Sequence, residues 1–280
     1  MQIKKRVNIA RLLVFIILLL GALTMVVPFM WMLSTSLKEA KYVYQIPPQW
    51  IPNPFDWENY IELWKKSNLL NGFKNSTIVA SCVVVFGTFS STLSAFAFAK
   101  LDVPYKKALF MCVLSSMMIP FVVLLVPQYI IYTKIKWINT LLPLIIPSAL
   151  GNVSMMFFLR QYMIGLPTEL LEAAKIDGCS YFKIYYRVYL PLSKPAIVSN
   201  IIMIFMATWN DYFAPMIFVN DEKKQTVQVV IAMLNSYHES QTDIPLVMAA
   251  ALIAILPVLI LFIFCQKYFT ESFAMTGMKG

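Results

Sequence analysis

The chain has 280 residues, of which 59% are hydrophobic and only 13% charged, with a formal net charge of +9. A soluble domain keeps roughly a quarter of its residues charged so that its surface stays wet, and a disordered chain is polar, so both classes are excluded. With a mean hydropathy of +0.69, the composition is that of a chain living in a bilayer.

A helix needs about 20 apolar residues to cross a bilayer. Six stretches qualify, in chain order: 12–33, 76–99, 108–133, 137–159, 195–220 and 244–266. Five hold no charged residue, and the fifth in order holds one, Asp211. The first follows Lys4, Lys5 and Arg6, as a signal peptide would. Its apolar core is longer than a signal sequence uses and no small-residue cleavage site follows, so a retained span is expected.

Placing the N-terminus in the cytoplasm puts 14 of the 23 basic residues in inside segments and 9 outside, against 5 and 8 acidic ones. The short 100–107 connection alone holds Lys100, Lys106 and Lys107. That is the positive-inside bias, and it predicts both termini inside. The basic excess is thereby topology, and no nucleic-acid partner is expected.

Between spans one and two, residues 34–75 are rich in Pro and Trp, which suits a rigid, turning segment outside the membrane. Prolines recur inside the spans at 28, 120, 127, 143, 147, 215 and 257. Each removes a backbone donor. Two readings stand: ordinary helix irregularity, or bent helices around a pathway that opens and closes. Cys82, Cys112 and Cys265 lie in apolar runs and Cys179 in a polar loop, so no disulfide framework is expected. With a single histidine, His238, no Cys/His metal site is expected either.

The connection 165–194 is long for packed helices. Pro167, Thr168, Glu169 and Glu172 suit the start of a first short helix, and Gly178 suits a left-handed end to it. Ser180 can cap a second helix, with Pro191 as its stop. Phe182, Tyr185, Tyr186 and Tyr189 then fall on one face, Lys183 and Arg187 on another. Such an amphipathic helix suits a membrane interface or a partner surface equally.

The segment Glu172-Ala-Ala-Lys-Ile-Asp-Gly178, nine residues, then Val188-Tyr-Leu-Pro191, resembles the EAA motif of ABC-importer permeases. That pattern reads EAA, three residues, Gly, nine residues, Ile-x-Leu-Pro. Val188 replaces Ile, and Cys179 stands where Ala is usual. Further likeness to carbohydrate-uptake permeases lies in Pro47-Pro-Gln-Trp-Ile-Pro52, Asn59-Tyr60, Asn75-Ser76, Ile176-Asp-Gly178, Trp209-Asn-Asp-Tyr212 with Pro215, and Met278-Lys-Gly280. It extends over nearly the whole chain and is nearest the shorter permease subunit of maltose-type importers. The tail departs, with Thr276-Gly-Met-Lys-Gly280 where Ala-Gly-Ala-Val-Lys-Gly is commoner.

The resemblance implies an all-α polytopic membrane protein of the ABC type I importer fold, with six spans in a bacterial-type cell membrane. It implies a first span with an extracytoplasmic loop over 1–75, a five-helix core over 76–266 and a cytoplasmic tail over 267–280. It further implies a second permease subunit, two ATPase subunits, an extracytoplasmic binding protein and a sugar substrate of the oligosaccharide class, with alternating access as the mechanism. The chain holds no G-x-x-x-x-G-K-[ST], so no cofactor is expected in it: ATP and Mg belong to the partner ATPase and the chain is not an enzyme.

By the same resemblance, Glu172, Ala173, Ala174, Asp177, Gly178, Leu190 and Pro191 form the loop that couples to the ATPase. Glu172 would be the ionic contact, Gly178 the bend, and Leu190 with Pro191 the turn into span five. Residues 221–243 match in position a loop that reaches into the binding protein, and the tail 274–280 is a further candidate ATPase contact. Trp209, Asn210, Asp211 and Tyr212 are candidate pathway residues, able to hydrogen-bond and stack on a sugar. Asp211 lies ~24 Å along span five, so helix packing at the interface is the competing reading. An ion-coupled secondary transporter is the rival function, though it calls for carboxylates near the midplane and only Asp211 is offered. An intramembrane enzyme is the third, and one His with one Asp supplies little for it.

Overall fold

A computed structural model describes residues 9–236 and 243–277, with side chains for 10–235 and 243–267. Lys4, Lys5, Arg6, His238 and 278–280, all considered above, lie outside the described residues. Every regular element among the described residues is a helix. Contacts divide the chain into two compact units, 1–67 with 231–253, and 68–230 with 254–280.

In the first unit, α1 (Ile9–Ser36) carries Pro28 inside it and leaves its long apolar surface exposed. A helix end leaves its last carbonyls without intrahelical donors. Here α2 (Glu58–Lys66) supplies them. Asn59 Nδ2 donates to the carbonyls of Ser36 (3.1 Å) and Lys38 (2.9 Å), and the Tyr60 and Ser36 hydroxyls bond at 2.8 Å. Trp50, from the Pro/Trp-rich stretch, meets Trp31 edge-on at 5.1 Å, and the buried Lys38 ammonium lies 4.2 Å from the Trp31 ring. The segment between the first two spans is thus folded back on the end of α1.

In the second unit, α3 (Leu69–Lys100) is the central strut. Its buried face reads Gly72, Ser76, Ala80, Val83, Gly87, Ser91 and Ala95, small residues at helical spacing. Small residues let helix backbones approach where lipid offers no hydrophobic drive for association. At Gly87 a methyl group would lie 3.3 Å from the Ser148 carbonyl, so a neighbouring backbone runs directly across it. At the other end, Asn75 Nδ2 donates to the carbonyls of Lys223 (3.0 Å) and Gln225 (2.9 Å), and Ser76 Oγ accepts from Val227 N at 2.9 Å.

Three expected spans are broken. Residues 108–133 form α4 (Lys106–Ser116) and α5 (Phe121–Lys134), 95° apart, with Pro120 at the start of α5. Proline cannot donate to the ladder and drives its predecessor out of the α region, so the helix ends there. The 137–159 stretch forms α6 (Leu142–Leu150) and α7 (Val153–Ile164), separated at Gly151 and Asn152. After α8 (Glu169–Ile176), α9 (Tyr181–Ile184) runs through a π turn, Tyr185–Tyr189, into α10 (Leu190–Leu192). The 195–220 stretch forms α11 (Lys194–Trp209) and α12 (Phe213–Phe218), parted at Asn210, Asp211 and Tyr212.

Pro191 does not stop the second loop helix, as expected from the sequence. The bend, 81°, falls after Leu192 at Ser193. The Leu190 amide already reaches back five residues to the Tyr185 carbonyl, so the α-ladder is open where proline enters it. Finally α13 (Val227–Ser236) leads on, and α14 (Ile244–Gly277) continues well past the apolar 244–266 stretch. Among the described residues, with α6 and α7 taken together as Leu142–Ile164, 4 helices are long and apolar enough to cross a membrane, or up to 6 if each bent pair is one span.

Replacing Asn75 by Ala strands the buried Gln225 carbonyl and frees the part-buried Lys223 carbonyl, a loss of about 1–3 kcal/mol. The thermal unfolding midpoint of the purified protein in detergent should fall accordingly, and an unchanged midpoint would contradict this fastening.

Candidate functional site

The loop 165–194 shows why the EAA spacing takes the form it does. Gly178 has φ +73°, the left-handed conformation that glycine adopts without steric cost. The Cys179 amide donates to the Ala174 carbonyl (3.0 Å) and the Gly178 amide to the Lys175 carbonyl (2.9 Å). This is a Schellman ending: the last Ala of the triplet is the acceptor, and the glycine falls four residues on. Ser180 Oγ then accepts the Lys183 amide at 3.3 Å and starts α9, as its sequence position predicts.

The expected single aromatic face divides. Ile184, Tyr185 and Tyr189 are buried, whereas Phe182 and Tyr186 are exposed. A π turn carries more residues per turn than an α-helix, so Tyr186 and Tyr189, three apart, no longer share a face, whereas Tyr185 and Tyr189, four apart, still do. Tyr185 and Tyr189 both pack on Phe96 of α3, at 5.6 and 5.2 Å between rings. The Tyr185 and Thr92 hydroxyls bond at 2.8 Å in the core. Lys100 Nζ, at the end of α3, donates to the Leu166 carbonyl (2.6 Å), and Tyr189 donates to the Pro167 carbonyl (3.3 Å). The loop is therefore bolted to α3 just ahead of α8 and again at the π turn. Glu172, Ala173, Ile176, Asp177 and Pro191 stay exposed, Ile176 at 87%, while Ala174 and Leu190 are half-buried.

Within the same unit, the three helix breaks converge. Met117 and Ile119 from the α4–α5 break, Gly151 and Asn152 from the α6–α7 break, and Asp211 from the α11–α12 break line one cavity of about 610 Å³. A second, of about 200 Å³, adjoins it and shares Leu144, Ser148, Asn152 and Asp211. Val79 and Val83 of α3 line the smaller one. Irregular backbone at membrane depth is tolerated where it lines a cavity or is buried in protein. Asp211 Oδ1 accepts the Phe213 (3.1 Å) and Ala214 (3.3 Å) amides, and Asn152 Oδ1 accepts Met155 N at 3.1 Å. Each side chain thus starts the helix that follows its break.

The four residues 209–212 do not act as one cluster. Trp209 is buried, donates to the Ala254 carbonyl at 3.0 Å and stacks on Phe205 at 5.4 Å. Asn210 Nδ2 donates to the Met206 carbonyl, and Tyr212 is 40% exposed. Of the four, Asp211 alone lines the two cavities. Ser148 and Asn152 escaped the sequence reading, which looked for charge inside spans and passed over neutral polar residues beside Pro147 and Gly151.

Residues 84–274 match the family model described as binding-protein-dependent transport system inner membrane component. The chain belongs to this family. The matched region takes in the 165–194 loop, the three breaks and the larger cavity. The chain is 34% identical, over 91% of its own length and 91% of the relative's, to the melibiose/raffinose/stachyose import permease protein MelC of Bacillus subtilis. It is 30% identical to the trehalose/maltose transport system permease protein MalG of Thermococcus litoralis, over 95% and 97% of the two chains. The arabinooligosaccharides transport system permease protein AraQ of Halalkalibacterium halodurans is 31% identical over 82% and 81%. The fold matches that in a crystal structure of a bacterial ABC transporter involved in the import of alginate, with TM-score 0.82 over 93% and 96% of the chains at 21% identity. The chain is accordingly a multi-pass membrane component of an ABC transport system.

Because nothing lies within 4 Å of a methyl group added at Gly178, substitution there tests backbone conformation alone. Gly178→Ala should cost about 1–2 kcal/mol locally, the left-handed penalty for an L-residue, and Gly178→Asn less. Hydrogen exchange of the Ala173–Gly178 amides should quicken in that order, and equal rates in all three proteins would refute the turn.

Proposed function

We propose that this chain is one permease subunit of an ATP-driven, binding-protein-dependent carbohydrate importer with oligosaccharides as its substrates. It forms half of the pathway with a second permease subunit, while two ATPase subunits bind ATP and Mg and do the hydrolysis. Six spans, both termini in the cytoplasm and the 165–194 loop on that side agree with the positive-inside charge distribution. The sugar assignment is supported by the names of the relatives.

The observation that carries this reading is the loop itself. Its exposed surface, with Glu172, Ala173, Ile176 and Asp177, is the part offered to an ATPase, and its buried surface is bolted to α3. From Lys100, which holds the loop, to Val83, which lines a cavity, is 17 residues of one unbroken helix, ~25 Å. Movement of the loop on ATPase closure is therefore delivered to the cavity wall by a rigid strut. Alternating access follows when the broken helices repack around that cavity. Residues 221–236, before the segment outside the described residues, are the extracytoplasmic approach for the binding protein.

Two variants test this. Glu172→Lys reverses the charge offered to the ATPase on an exposed helix. Membrane insertion should be normal and ATP-driven uptake lost; normal uptake would refute the assignment. Lys100→Met removes the bolt without touching the exposed surface. In proteoliposomes the assembled importer should hydrolyse ATP at a substantial rate while uptake per ATP falls several-fold. Unchanged uptake per ATP would show that α3 does not transmit the movement.

A further inference from the structure

The cavity at the three breaks carries a chemical signature beyond its position. Its volume, about 610 Å³, lies in the range of small-molecule sites. Its polar lining comprises Ser116, Gln128, Ser148, Asn152, Ser154 and Asp211, with Tyr132 beside them. These groups donate to and accept from hydroxyls. Phe121 and Phe213, 6.1 Å apart edge to face, supply aromatic wall suited to the C–H faces of a sugar ring. No Lys, Arg or His lies among its lining residues.

An anion entering here would find no cation and would meet a carboxylate. The backbone amides that a helix N-terminus ordinarily offers to anions are also taken. Asp211 Oδ1 holds those of Phe213 and Ala214, and Asn152 Oδ1 holds that of Met155. Asp211 is in effect the resident anion of the site, and its place on the wall shared by both cavities puts it beside a ligand in either one.

Resting on the permease reading above, we infer that this cavity is a saccharide subsite for uncharged sugars, and that Asp211 is the residue that excludes uronates from it. Ser148, Asn152 and Gln128 are the hydroxyl-reading groups. The selectivity lies in the permease itself, in addition to any choice made by a binding protein.

The test uses the assembled importer with Cys82, Cys112, Cys179 and Cys265 replaced and Met117→Cys introduced on the cavity wall, away from the hydroxyl-reading groups. Maleimide labelling of that thiol is measured against maltotriose or raffinose, both neutral, and against trigalacturonate. A neutral trisaccharide should slow labelling, and trigalacturonate should need an at least about tenfold higher concentration for the same effect, given like-charge repulsion at short range. Adding Asp211→Asn, which keeps an oxygen for the two amides and removes the charge, should shrink that difference to about twofold or less. Equal protection by neutral and acidic sugars before the Asp211 change would overturn the inference, as would discrimination that survives it. Absence of protection by every sugar, with ATP-driven uptake still running, would overturn the subsite and leave the permease reading intact. Failure of the native assembly to couple any saccharide uptake to ATP would instead remove the reading on which the subsite rests.

Discussion

A backbone amide or carbonyl inside a bilayer has no water to bond, so each helix break must find its partners within the protein. This chain has three such breaks in one unit, at Pro120, at Gly151–Asn152 and at Asn210–Tyr212. Two are repaired by side chains placed at the break itself, Asn152 and Asp211. All three line one cavity, so the irregular backbone is gathered beside the polar side chains of that cavity. The cavity and the breaks are thus one solution to one constraint.

The long helix α3 makes that arrangement possible. Its small buried residues allow α6, α7 and α11 to lie close against it, and Gly87 marks where the α6 backbone passes. At one end Asn75 and Ser76 hold the 223–227 connection, and at the other Thr92, Phe96 and Lys100 hold the 165–194 loop. An element tied at both ends and lining a cavity between them moves as a unit. For an importer driven from one side of the membrane, that stiffness matters more than any single contact.

Several motifs that appeared in the sequence only as points of likeness acquire physical causes. Asn59 and Tyr60 close the carbonyl end of α1, and Asn75 and Ser76 fasten a distant connection. Trp209 is a buried, hydrogen-bonded packing residue, whereas its neighbour Asp211 faces open space. Adjacent residues of one motif therefore serve different ends, because a helix terminus turns successive side chains in different directions.

Local chemistry was legible in the sequence wherever it depends on neighbours along the chain. The apolar lengths, the left-handed Gly178, the Ser180 cap and the spaced EAA pattern all belong to that class, since propensity and capping act over a few residues. Pro191 and the aromatic face were misplaced because a π turn changes the residue count per turn, and hydrophobic spacing assumes a constant one. The small-residue stripe of α3 and the polar wall of Ser148, Asn152 and Asp211 depend on residues 59 or more apart meeting in space. The sequence by itself determined that this chain crosses membranes and carries an exposed, spaced loop motif. Only the tertiary structure decided that three breaks share one cavity and that one helix joins it to the loop, because close approach of distant backbones leaves no periodic trace along the chain.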